Sequence, residues 1–133
     1  MFEQTVEALK QRGFEVEAVA TKQEALELVM KEAESAASVG WGGSESVKEI
    51  GARARLVESG KEIRDHQLVC DLFLLSANAL TTDGRIVNID GIGNRVAASI
   101  HGPKRVVYVI GRNKIVDGDA AFTVPRHYKG INL

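Results

Sequence analysis

The chain has 133 residues, the usual size of one domain, and contains no repeat, linker or low-complexity tract, so we expect a single domain over residues 1–133 with an irregular tail from about residue 122. A formal net charge of −1, with Lys and Arg scattered among acids, argues against nucleic-acid binding. No apolar run approaches the ~20 residues that a membrane span needs, and the acidic start of the chain is unlike a signal peptide. We therefore expect a cytoplasmic protein with no membrane contact.

The cysteine and histidine content bounds the cofactor chemistry. Cys70 is the only cysteine, so it can form no internal disulfide and cannot hold an iron–sulfur cluster, and it fits a reducing compartment. The three histidines (His66, His101 and His127) lack metal-ligand spacing. We expect neither a metal nor a cofactor in this chain.

Helix and strand patterns alternate in the first half of the chain. Apolar residues at helical spacing predict an N-terminal helix that ends at Gly13. Residues 14–20 alternate apolar and acidic side chains, which predicts a half-buried edge strand able to pair with another copy in a homo-oligomer. Thr21 and Glu24 form a capping box that begins a helix through about Ala33. A short strand and a second helix follow, over residues 36–40 and 45–57.

The second half contains the most apolar strands. Residues 71–77 are apolar on both faces, as central parallel strands are, and residues 105–110 form another valine-rich strand. A weaker strand pattern covers residues 61–64. Asp83-Gly84 between two strand patterns predicts a hairpin, and a helix begins at Gly93-Asn94. These elements predict a three-layer α/β sandwich around a mainly parallel sheet, with an antiparallel hairpin.

The first candidate binding segment follows the strand over residues 36–40. Gly42 and Gly43 would let backbone N–H groups converge on one point, and Ser44 adds a hydroxyl at the start of a helix, so a phosphate or carboxylate would fit there. The structural alternative is a tight turn in which Ser44 only caps the helix. Trp41 is either a packed side chain or a stacking platform for a ligand.

The second candidate segment lies between the hairpin and the following helix. Asp90 ends a strand and is placed for acid–base chemistry or for holding a ligand hydroxyl. Gly91 and Gly93 turn the chain, Asn94 begins the helix, and Arg95 could bind an anion with two hydrogen bonds. The structural alternative makes Asp90 and Asn94 turn and cap residues and leaves Arg95 in solvent.

A third candidate is Asn78, a polar amide directly after a buried apolar run. It must find hydrogen-bond partners or face a cleft, so a ligand-binding role and a loop-tying role are equally supported. Because loops at the carboxyl ends of parallel strands gather at one edge of the sheet, we expect all three segments to border one hollow that holds a small anionic metabolite.

Several blocks of this sequence resemble the LUD domain of lactate-utilisation proteins. The most specific is residues 87–98, which contain Asn88, Asp90, Gly91, Gly93 and the Asn94-Arg95 pair. The similarity runs over about residues 13–117. The other blocks, in chain order, are residues 41–44 (WGGS), 71–74 (DLFL), 76–81 (SANALT), 83–84 (DG), 102–104 (GPK) and 111–116 (GRNKIV).

The resemblance implies a fold like that of the ribose-phosphate isomerase, glucosamine-phosphate deaminase and CoA-transferase group. It also implies a role in oxidising L-lactate to pyruvate with iron–sulfur partner proteins, which would carry the clusters. Two alternatives remain open: an autonomous enzyme or binding protein for a phosphorylated or CoA-linked metabolite, and a non-catalytic assembly module. The residues themselves assign no reaction.

Overall fold

A computed structural model describes residues 2–41, 48, 50–65 and 68–118. Within these residues the helices are α1 (Phe2–Gln11), α2 (Lys22–Glu32), α3 (Ala52–Glu58) and α4 (Asn94–Ile100), with a short 3-10 helix at Arg112–Lys114. The strands are β1 (Ser38–Trp41), β2 (Glu62–Asp65), β3 (Leu72–Leu75), β4 (Ala79–Thr81), β5 (Ile86–Val87), β6 (Arg105–Tyr108) and β7 (Ile115–Val116).

The central sheet contains four parallel strands in the order β2-β1-β3-β6. Every residue of β1 and β3 is buried, which matches the apolar character of residues 72–75. In the register of these two strands Trp41 lies opposite Leu74, so both strands end at the same edge of the sheet. The predicted mainly parallel sheet is confirmed.

Helices cover both faces of this sheet. On one face Leu26 and Val29 of α2 and Leu56 of α3 pack against β1 and β3. On the other face Ala98 of α4 packs with Phe73 and with other side chains of that face. The two apolar clusters lie on opposite sides of the sheet because alternate side chains of a strand point to opposite faces. The expected three-layer α/β fold is therefore present.

The predicted hairpin forms part of a second, three-stranded sheet in the order β5-β4-β7. Strands β4 and β5 are antiparallel, and β7 lies parallel to β4 on its other side. Thr81 Oγ1 accepts a hydrogen bond from the Arg85 backbone N–H at 2.8 Å and thereby closes the turn. Gly84 in this turn approaches the backbone of Ala8 in α1, so the hairpin turn contacts the N-terminal helix.

The edge strand predicted for residues 14–20 is wrong. These residues form no strand, and the side chains of Phe14 and Val19 are exposed, at 41% and 42%. An alternating pattern yields a strand only where a neighbouring strand supplies a hydrogen-bond ladder, and none does so here. Instead Glu15 is held by an ion pair to Arg105 at 3.0 Å. The proposed route to a homo-oligomer through this segment therefore loses its basis.

Two helix predictions have different outcomes. The capping box is present: Thr21 Oγ1 accepts from the Glu24 N–H, and Glu24 Oε2 accepts from the Thr21 N–H, so α2 begins as predicted. The helix predicted over residues 45–57 is described as α3 only from Ala52, directly after Gly51 in a left-handed conformation. Residues 45–47 and 49 lie outside the described residues.

Asp71, just before β3, ties the amino ends of three strands together. Its Oδ2 accepts from the Ala37 N–H at 2.8 Å and from the Ser38 N–H at 3.4 Å, and its Oδ1 pairs with Lys104 Nζ at 2.9 Å. The Lys104 ammonium, followed by the Ala37 N–H, lowers the pKa of Asp71 to about 2. The carboxylate therefore stabilises the fold above its unfolded pKa, and this contribution is lost as the pH falls from about 4 to about 2.

Replacing Asp71 with asparagine should make stability less dependent on pH. We expect Asp71→Asn to be less stable than the wild type at pH 7, with the difference shrinking between pH 4 and pH 2 because the wild-type carboxylate becomes protonated there. Urea unfolding of both proteins across this range measures the difference. A difference that stays constant down to pH 2 would show that the Asp71 charge does not contribute.

Candidate functional site

The order of the strands reverses between β1 and β3. From β1 the chain passes to β2 on one side, while β3 and then β6 lie on the other side. In open parallel sheets ligands bind in the crevice outside the carboxyl ends of the strands, at such a reversal. The segments that follow β1 and β3 are therefore the candidate site: residues 42–44 after Trp41, and Asn78 after Leu75.

Of the first candidate segment, the structure describes only the residues that precede it, up to Trp41. Gly42, Gly43 and Ser44 lie outside the described residues, so their anion-binding role stays a prediction. Trp41 is buried in the core, with the Arg53 guanidinium 4.9 Å from its ring centroid, which supports the packed interpretation. Gly40 is also a packing residue, because a Cβ there would lie 2.9 Å from the Arg64 carbonyl oxygen.

Three of the other predicted polar residues, Asn78, Asp90 and Arg95, form one hydrogen-bonded cluster. Arg95 Nε donates to Asp90 Oδ1 at 2.7 Å, and Arg95 Nη2 donates to Asn78 Oδ1 at 2.6 Å and to the Ile89 carbonyl at 3.0 Å. The side chains of Arg95 and Asp90 are only 9% and 7% exposed. Arg95 is therefore not solvated, and its charge is neutralised by Asp90 inside the protein.

Further hydrogen bonds tie this cluster to the backbone. Asn78 Oδ1 also accepts from the Ile89 N–H at 2.9 Å, and the Asn78 N–H donates to the Val87 carbonyl at 2.9 Å. Asp90 Oδ2 accepts from the Val96 N–H at 2.6 Å, in the first turn of α4. The cluster thus fixes the chain after β3, the chain after β5 and the start of α4 relative to one another.

The turn between Asp90 and α4 faces outward. Gly91 and Ile92 are exposed, and Gly93 immediately precedes α4 with a φ of 82°, a conformation that glycine tolerates best. Asn94 is the first residue of α4. The structure thus brings Asn78, Asp90 and Arg95 into contact and places Gly91, Gly93 and Asn94 beside them. Contact of these residues with a ligand stays a prediction.

The sequence analysis names Asn88 only as part of the block of residues 87–98 and gives it no role in binding. Its Oδ1 is buried, and among the described residues it has no hydrogen-bond partner. A buried acceptor without a partner costs about 1–3 kcal/mol. Buried acceptors of this kind are uncommon in native proteins. The sequence marks Asn88 only as a second asparagine, besides Asn78, that lies two residues before Asp90.

The remaining titratable residues of the described ranges form few clusters of interest. Among the described residues no group of three His, Cys, Asp or Glu side chains could hold a metal ion. Burial raises the pKa of the Cys70 thiol, which makes it a poor nucleophile. A cavity of about 160 Å³ lies at the amino ends of the strands, and its charged side chains pair with one another as Lys104–Asp71 and Arg105–Glu32.

Comparison with known proteins gives one match. The LUD domain family matches residues 2–123, which is most of the chain. No curated protein and no solved structure matches the chain. None of the helices in the described ranges combines the length and the apolar character that crossing a bilayer requires.

Proposed function

Because the chain belongs to the LUD domain family, we propose that it takes part in L-lactate utilisation, as a subunit that acts with iron–sulfur proteins in oxidising lactate to pyruvate. The observation that carries this proposal is the family match, which extends over residues 2–123. The LUD domain is associated with lactate-utilisation proteins. Conversion of lactate to pyruvate releases two electrons and two protons, so the system needs an electron acceptor.

The acceptor in this proposal belongs to a partner protein. Iron–sulfur clusters are held by several cysteine thiolates, whereas this chain has only Cys70, which is buried. The residues of this chain therefore do not fit cluster binding. The subunit would bind the small carboxylate, and the crevice outside the carboxyl ends of β1 and β3 is the position that the sheet topology favours for it.

Capture of partners from the native cell extract tests this proposal. A tagged full-length chain should co-purify proteins that contain iron and acid-labile sulfide, and the captured complex should reduce a dye when L-lactate is added. The purified chain alone should not reduce the dye. Untagged extract passed over the same resin is the control. Failure to capture an iron–sulfur protein with a folded chain would contradict the proposal.

The reversal of strand order also favours a second candidate, an autonomous enzyme or binding protein for a phosphorylated or CoA-linked metabolite. A ligand that binds only the native state at 100 times its Kd adds about 2.7 kcal/mol of stability and raises the Tm. Gly43→Val should remove this rise without changing the circular dichroism spectrum. No rise across phosphosugars, CoA esters and hydroxy acids would exclude this candidate and, with failed partner capture, leave a non-catalytic assembly module.

A further inference from the structure

The connection between β2 and β3 is unusually short for two parallel strands. Strand β2 ends at Asp65 and β3 begins at Leu72, and β1 lies between them, so residues 66–71 must cross the sheet. Such connections usually have a dozen or more residues and contain a helix, whereas this one is too short to include a covering helix. Cys70 belongs to the same apolar cluster as Ala98 of α4, so the connection runs on the α4 side of the sheet.

Large apolar side chains are exposed where this short connection meets α4. Leu68 and Val69 of the connection are exposed, and Ile100 at the end of α4 is 78% exposed. A Cβ on Gly102, two residues after Ile100, would lie 3.4 Å from the Leu68 Cβ, so the connection adjoins the end of α4. Ile92, just before α4, is 85% exposed. We call these four side chains (Leu68, Val69, Ile92 and Ile100) the α4 face.

The exposed part of α4 carries no charge. Its sequence is NRVAASI, and its one charged residue, Arg95, is buried and paired with Asp90. Val96 and Ile100 lie four residues apart and therefore on the same side of the helix, and Ile92 lies four residues before Val96. Single exposed apolar residues are normal on a protein surface, but a group of them around one uncharged helix marks an interaction surface.

We propose that the α4 face binds the α4 face of a second copy of this chain, in a twofold dimer with the two α4 helices antiparallel. A twofold contact requires a surface that complements itself. A charged partner would lose hydration against this face without gaining a counter-charge, whereas two copies bury only apolar side chains in each other. Ile92 and Ile100 lie at the two ends of α4, which is about 10 Å long. The antiparallel arrangement therefore brings Ile92 of each copy to Ile100 of the other.

Substitutions on the two sides of the sheet test this dimer. Sedimentation velocity of the full chain should give twice the 14.4 kDa mass of one chain. Ile100→Asp places a carboxylate in each half of the contact, so it should weaken the dimer at least about 100-fold while leaving the circular dichroism spectrum unchanged. Val57 is exposed on α3, which packs on the other side of the sheet, so Val57→Asp is the matched control and should leave the dimer intact.

Two opposite charges test the antiparallel arrangement. Ile92→Lys and Ile100→Asp should each be monomeric alone, whereas an equal mixture of the two variants should contain a dimer, because the new lysine and the new aspartate face each other. Ile92→Lys is also a second disruption at the other end of α4, independent of how well Ile100→Asp folds.

Four results would overturn the proposal. These are a monomeric wild type, a dimer that survives Ile100→Asp, a dimer that Val57→Asp disrupts equally, and a mixture that stays monomeric. If the wild type is monomeric and Ile100→Asp abolishes capture of iron–sulfur proteins, the α4 face binds that partner and not a second copy. Loss of the dimer alone leaves the proposed subunit role untouched, because that role is decided by the capture experiment.

Discussion

Arg95→Leu is expected to lower the free energy of unfolding by about 3–5 kcal/mol, because it leaves the buried Asp90 carboxylate without its counter-charge. The Arg95 and Asp90 side chains are less than a tenth exposed. The guanidinium also donates hydrogen bonds to Asn78 Oδ1 and to the Ile89 carbonyl. Urea unfolding measures the loss. Hydrogen exchange should show that the amides of α4 lose protection first, since Asp90 also accepts from the Val96 N–H.

An exposed arginine provides the matched control. Arg85 pairs with Asp83 at 3.0 Å, but its side chain is 41% exposed, so Arg85→Leu should cost less than about 1 kcal/mol. Adding Asp90→Asn to Arg95→Leu should recover about 1–3 kcal/mol, because the double variant buries no unpaired charge. Equal losses for Arg95→Leu and Arg85→Leu would show that the Arg95 pair is not buried in solution.

The second large effect is expected for Gly84→Ala in the hairpin turn. Gly84 has a φ of 83°, which costs an alanine roughly 1–2 kcal/mol. Its new Cβ would also lie 2.9 Å from the Ala8 carbonyl carbon and 3.0 Å from the Leu9 nitrogen, so α1 must move away from the hairpin. We expect a total loss of at least about 2 kcal/mol in urea unfolding, with faster hydrogen exchange throughout α1.

Gly60→Ala separates the two causes. Gly60 has nearly the same φ, 79°, but nothing lies within 4 Å of the position that its Cβ would take. This variant should therefore show only the backbone cost of about 1–2 kcal/mol and no change in α1. If the two alanine variants lose the same stability, the contact between the hairpin turn and α1 does not contribute.

The elements that could be predicted from sequence are those set by local interactions. The capping box of Thr21 and Glu24 satisfies backbone groups within one turn, and α2 begins there as predicted. Asp83-Gly84 similarly sets the hairpin between β4 and β5. The apolar run of residues 72–75 needs burial on both faces, and only a central strand provides this.

The parts that could not be predicted from sequence depend on distant partners. Alternation over residues 14–20 is a local pattern, but a strand needs a ladder partner that the sequence cannot guarantee. In the same way, the residue type of Arg95 allows either an anion clamp or a solvated cation. Its actual partners, Asn78 and Asp90, come together only when β3, β5 and α4 are assembled. The candidate cluster could thus be located from sequence, but its internal pairing could not.

The pairing of β4 with β7 and of β3 with β6 determines when the two sheets can be completed during synthesis on the ribosome. Val116 opposite Thr81, and Tyr108 opposite Leu75, join segments that leave the ribosome far apart in time. After β5 has emerged, the remaining residues up to the end of β6 take about 1–4 s to be synthesised. Throughout that interval one edge of the fully apolar β3 lacks its neighbouring strand. Until β6 is added, the backbone N–H and C=O groups along this edge have no strand partner.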